Sequence, residues 1–86
     1  MGWKEKLLHI LKWARRSHSG GGLLTSEITQ IFHDRFGMKY VDSNQVNKEM
    51  SRRLLKTPYI TRKKINEKEF RWFITPKGEE ILENGN

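Results

Sequence analysis

The side chains with most to offer a partner lie in one stretch, SNQVNKEMSRRLLK, from Ser43 to Lys56. At helical spacing Asn44, Gln45, Lys48, Ser51 and Arg52 share an outer face, and the single acid, Glu49, sits nearer the core edge. Amides, a hydroxyl and cations offer hydrogen bonds and positive charge, which suits an anionic partner. A helix that needed only solubility would mix Glu with Lys more evenly, because opposite charges four residues apart stabilise it. The inner side is ordinary: Val46, Met50 and Leu54 recur every four residues and are expected to line up toward a core.

The charge of the whole chain supports this reading. Seventeen Lys and Arg against ten Asp and Glu leave a formal net charge of +7 and a pI near 10.0. Between Lys39 and Lys64 there are eight cations and two acids, Asp42 and Glu49. After Lys77 come Glu79, Glu80 and Glu83 with no cation. A basic side and a mildly acidic end favour a polyanion docking on one surface.

Other chemistries find little support. His9, His18 and His33 share no metal-ligand spacing, and adjacent His33-Asp34 cannot easily converge on one ion. There are no paired carboxylates and no nucleophile motif, so no enzyme, cofactor or metal is expected. Gly20–Gly22 lacks the Gly-Lys-Ser/Thr ending of a phosphate-cradling loop and runs into Leu23-Leu24, so 17–22 is read as a flexible surface turn. With no cysteine there is neither a disulfide framework nor a thiolate site. Lys4, Glu5, Lys6 and Lys12 interrupt the apolar residues of the N-terminal stretch, so neither a signal peptide nor a membrane span is expected.

The elements that must position these residues fit one small core, so residues 1–86 are read as a single domain. The first helix runs from about Trp3 to Arg16, with Trp3, Leu7, Ile10, Leu11 and Ala14 on one face and Leu8 and Trp13 on its flanks. Leu23-Leu24 form a brief extended segment. Thr25 is expected to cap a second helix with the buried stripe Ile28, Ile31, Phe32 and Phe36, closed by Gly37 in a left-handed turn. Met38–Val41 lead to Asp42, which with Gln45 forms a capping-box pattern for a third helix running to about Lys56, ended by Pro58. The period then changes to two. Tyr59–Ile65 and Phe70–Thr75 are read as a hairpin with a charged tip, Phe70, Trp72 and Ile74 facing one side and Arg71 and Phe73 the other. Thr75-Pro76 starts a last short helix that closes over the core with Ile81 and Leu82, and 83–86 is expected to fray.

Helix, short strand, two helices, hairpin and short helix is the order of a winged helix-turn-helix domain, an α+β, mainly helical fold. LLTSEITQIF resembles the first helix of the turn motif and NQVNKEMSRRLL its recognition helix. FRWFITPKGEEIL is similar to the second wing strand and following helix of MarR-type and PadR-type repressors, with Thr75-Pro76-Lys77-Gly78 the most specific piece. The likeness spans about residues 5–83, although the Gly37–Asp42 connection is longer than the compact turn and no long dimerisation helices are expected to flank the domain.

The resemblance implies double-stranded DNA binding, with the helix at about 43–56 in the major groove and a basic wing at 59–75. Asn44, Gln45, Lys48, Ser51 and Arg52 would then read bases, because amides match adenine edges and Arg or Lys match guanine O6 and N7. Thr25, Ser26, Lys39, Arg62, Lys63, Lys64 and Lys68 would contact phosphates, which position a domain without reading sequence. The implied role is a small transcriptional regulator or a DNA-binding module of a replication or mobile-element system. It would be cytoplasmic and nucleoid-associated, or nuclear in a eukaryote, with a homodimer or larger protein complex left open. The alternative is a winged helix whose helix and hairpin dock a protein. A third reading, RNA or single-strand binding, requires Phe73 and Trp13 exposed together on the basic face. Arg62-Lys63-Lys64 could equally protect an edge strand, a use compatible with either role. Trp13 either packs on the C-terminal helix or belongs to an interface.

Overall fold

The apolar spacing of the first helix is realised over α1, Trp3–Ser17, in a computed structural model that describes residues 2–17 and 21–84. The turn expected at 17–22 falls largely outside the described residues. Leu7, Leu8, Ile10, Leu11 and Ala14 are buried, so Leu8 belongs to the core rather than to a flank. Trp3 is half-buried, with its ring 4.9 Å from that of Phe32. Trp13, on the flank of α1, is 36% exposed. It lies under the Arg35 guanidinium, 4.7 Å from ring centroid to Cζ, beside Ile31 and Phe36.

After the two-residue strand β1, Leu23–Leu24, comes α2, Thr25–Phe36. Its N-cap is Leu24, one residue before the expected Thr25. The reason lies in two competing hydrogen bonds. Glu27 Oε1 accepts the Leu24 amide at 2.8 Å, while Thr25 Oγ1 is occupied by the Trp72 indole Nε1–H at 2.9 Å. Gly37 closes the helix with φ 66° and ψ 15°, a conformation that glycine adopts without a side-chain clash. Phe36 departs from the expected stripe and is 38% exposed. His33 Nε2 donates to the Val41 carbonyl at 2.5 Å, tying the 38–41 connection to α2.

The capping box at Asp42 forms as read: Asp42 Oδ1 accepts the Gln45 amide at 2.8 Å, and Gln45 Oε1 accepts the Asp42 amide at 3.0 Å. Asp42→Ala is accordingly expected to destabilise the fold by about 1 kcal/mol. Urea melts of the two proteins test this, and an unchanged midpoint would mean that the cap contributes nothing.

The helix that follows is not one α-helix to Lys56. α3 covers Ser43–Glu49, and a π-helical turn takes over at Met50–Leu54, where the Leu55 amide reaches the Met50 carbonyl at 2.8 Å. The four-residue spacing of the apolar side chains explains the change. In an α-helix each step of four drifts by about 40° from the last, so Leu54 would stand about 80° from Val46. A wider turn lets Val46, Met50 and Leu54 all reach the core, at 0, 0 and 1% exposure.

Strands β2, Ile60–Lys64, and β3, Phe70–Ile74, form the hairpin. The sheet order is β1-β3-β2, antiparallel throughout, so β3 is central. Ile60, Trp72 and Ile74 face the core, with Phe70 half-buried beside them. On the other face Phe73 packs so closely over Gly22 that a Cβ there would lie 2.5 Å from its ring. Arg71 Nη1 donates to the Gly22 carbonyl at 3.1 Å.

The last helix, α4, runs Pro76–Asn84 and so includes Glu83 and Asn84, which were expected to fray. Thr75 Oγ1 accepts the Gly78 amide at 3.1 Å and donates to the Pro58 carbonyl at 2.5 Å. A Cβ on Gly78 would stand 2.4 Å from the Tyr59 carbonyl oxygen. The Thr-Pro-Lys-Gly segment is therefore a helix start pressed against the entry to β2. Ile81 and Leu82 pack on the core as expected, and Arg15–Glu79 (2.8 Å) and Lys12–Glu83 (3.9 Å) pair α4 with α1. The result is an α+β, mainly helical arrangement, with four α-helices and a three-stranded antiparallel sheet among the described residues.

Candidate nucleic-acid interface

Because Val46, Met50 and Leu54 turn inward, the opposite side of α3 and of the π-helical turn that continues it faces solvent. Asn44, Gln45, Lys48 and Arg52 are exposed, and Ser51 is half-buried. Lys48 and Arg52 take part in no ion pair among the described residues, whereas neighbouring Arg53 meets Glu49 at 3.3 Å. Of the acids after Lys77, Glu79 and Glu83 face cations of α1 and Glu80 faces Lys77. They leave Lys48 and Arg52 unpaired.

The outer face divides into two flanks. Gln45, Lys48, Arg52 and Arg53 line a shallow depression with Trp3 and Glu49. Asn44 and Asn47 line a second, more polar one with Thr25, Ser26, Lys68 and Glu69. The second brings the start of α2, the start of α3 and the hairpin tip to one place. Asn47 was not among the residues picked from the sequence, although its position three residues after Asn44 was a usable signal.

Individual side chains differ in how free they are. Asn44 has no hydrogen bond that would hold it back among those described, but Gln45 has its Oε1 committed to the Asp42 amide. Pairing bidentately with an adenine needs that oxygen, so for Gln45 capping and reading compete. Thr25 Oγ1 accepts from Trp72 and keeps one proton to donate, while Ser26 and Lys39 are exposed. Ser51 Oγ accepts from Arg62 Nη1 at 3.3 Å. At the hairpin tip Asn66 Oδ1 accepts the amides of Lys68 and Glu69, both at 2.9 Å, which orders the turn that carries Lys68.

Strand alternation divides the hairpin cations Arg62, Lys63 and Lys64, expected as one set of backbone contacts, between two faces. Arg62 pairs across with Trp72 and Lys64 with Phe70, on the core-side face, while Lys63 pairs with Arg71 on the other. Phe73 is half-buried against Gly22 and is no open stacking platform, so the single-strand reading gains nothing from it.

No group of three or more His, Cys, Asp or Glu side chains placed to hold a metal occurs among the described residues. No helix among them is long and apolar enough to cross a membrane. No protein-family model, curated protein or solved structure matches the chain.

Proposed function

We propose that this chain is a winged helix domain that binds double-stranded DNA, with α3 entering the major groove and the β2–β3 hairpin serving as the wing. Its role is that of a small transcriptional regulator or a DNA-binding module of a replication or mobile-element system. One observation carries the reading: Lys48 and Arg52 are exposed and without ion-pair partners among the described residues, and they border one depression together with Gln45, with Asn44 on the adjoining flank. Cations left unpaired beside amides suit phosphates flanking base edges. Supporting it, the hairpin tip and the starts of α2 and α3 border one polar depression on the flank of that helix.

Fluorescence anisotropy of a labelled duplex against salt concentration tests this reading. Binding should weaken steeply as salt rises, because each neutralised phosphate releases counterions. Lys64→Ala is expected to lower the slope of log affinity against log salt by about 0.9, the value of one phosphate contact on B-form DNA. Lys63→Ala, on the opposite face of the strand, should lower it less. A domain that instead docks a protein through the same helix and hairpin would bind the duplex weakly and with little salt dependence.

A further inference from the structure

Arg62 differs from the other hairpin cations in everything around it. Its guanidinium Cζ lies 4.0 Å from the centroid of the Phe70 ring and 5.5 Å from that of Trp72, and Nη1 donates to Ser51 Oγ at 3.3 Å. Both rings stand on β3, whereas Ser51 lies in the π-helical turn that continues α3. One side chain on β2 thus bridges the third strand and the helix. Trp72 is fully buried, which gives the bridge a rigid base. A planar guanidinium can stack on a ring and still direct its N–H groups outward in the ring plane, as a lysine ammonium cannot. Lys63 and Lys64 have no hydrogen bond or ion pair with a side chain among the described residues.

We propose that Arg62 is a positioning residue, a strut that sets the angle and stiffness of the hairpin against the candidate recognition helix through Phe70 and Ser51, and not a phosphate contact. Ser51 then serves as the helix end of the strut and not as a base reader. The consequence for binding rests on the DNA-binding reading, while the strut itself does not. A hairpin already ordered before the duplex arrives loses less conformational freedom on binding. Release of Arg62 would therefore weaken binding to every sequence without removing a counterion from the balance.

The test compares Arg62→Lys, Arg62→Met and Ser51→Ala in the full chain, in two arms. Without DNA, amide 15N relaxation of residues 60–74 should give order parameters near the rigid value of about 0.85 in the wild type, falling toward about 0.6 in the Arg62 variants and part of the way in Ser51→Ala. Unchanged order in all three overturns the strut, and Ser51→Ala keeps the test decisive should the Arg62 variants fold poorly. With a duplex, both Arg62 variants should lose affinity by about threefold to tenfold, part of the combined worth of a cation–π contact and a hydrogen bond, with an unchanged salt slope. A near-normal Arg62→Lys together with a slope lowered by about 0.9 in Arg62→Met would make Arg62 a phosphate contact and overturn the proposal. If the wild type ignores DNA, the DNA-binding reading fails, and the relaxation arm still decides the strut.

Discussion

Trp72→Ala is expected to strip the fold of a large part of its stability, leaving it marginal at ambient temperature. The side chain is fully buried at the centre of the middle strand, with the Phe70 ring 5.9 Å away, and its indole N–H holds Thr25 Oγ1 at 2.9 Å. Truncating a buried Trp costs about 3–5 kcal/mol when the cavity cannot collapse. A chain of 86 residues has about 4–13 kcal/mol of stability in total, at the usual worth per residue. The loss therefore consumes a large part of the margin. β3 pairs with both other strands, so little around this site can relax independently.

Trp72→Phe separates packing from the hydrogen bond. It retains an aromatic ring but removes the donor to Thr25, and about 1–3 kcal/mol should be lost, since a partly buried hydroxyl then has to find another partner. Urea unfolding followed by far-ultraviolet circular dichroism reads both variants. If the urea midpoint of Trp72→Ala stays close to that of the wild type, Trp72 is not the keystone of this sheet and the β1-β3-β2 order falls with it.

The contrast between those two variants also marks what the sequence could reveal. Local rules were enough for the features that local rules decide. The stripe of α1, the left-handed Gly37, the reciprocal Asp42–Gln45 cap and the hydroxyl-proline start of α4 each depend on residues within a turn of one another. Long-range partners were not legible. Thr25 lost its expected cap role to an indole 47 residues away, and nothing near Thr25 announces Trp72. Phe73 and Arg71 could be assigned to the outer face of the strand, but not to the backbone around Gly22 that they cover. The period of four in Val46, Met50 and Leu54 was visible, yet its outcome depended on whether the core or the α-helical hydrogen-bond pattern would yield.

The same distinction applies to the candidate interface. Exposure of Asn44, Lys48 and Arg52 follows directly from the inward stripe opposite them. The division of Arg62, Lys63 and Lys64 between two faces was implicit in strand alternation, although three adjacent cations read naturally as one patch. The Arg62–Ser51 bridge required the third dimension, because eleven residues and a change of element separate the two. For Gln45, capping and base reading compete for one carboxamide oxygen.

That conflict yields the second large effect. If α3 reads base edges, Arg52→Ala should cost roughly 1–3 kcal/mol on the preferred duplex and much less on random DNA, because a bidentate contact to guanine exists only at the preferred site. Gln45→Ala should behave differently, since Gln45 Oε1 holds the Asp42 amide in the free protein. Its loss should appear as a lower unfolding midpoint, by about 0.5–1 kcal/mol for one hydrogen bond of the cap, with little change in the ratio of specific to random affinity. Paired binding isotherms at one fixed salt, with a melt of each variant, separate the two. Should Gln45→Ala abolish the preference while leaving the melt unchanged, the cap opens on binding and Gln45 reads a base after all. Should Arg52→Ala weaken both duplexes equally, α3 is an electrostatic face only, and nonspecific DNA association replaces the regulator.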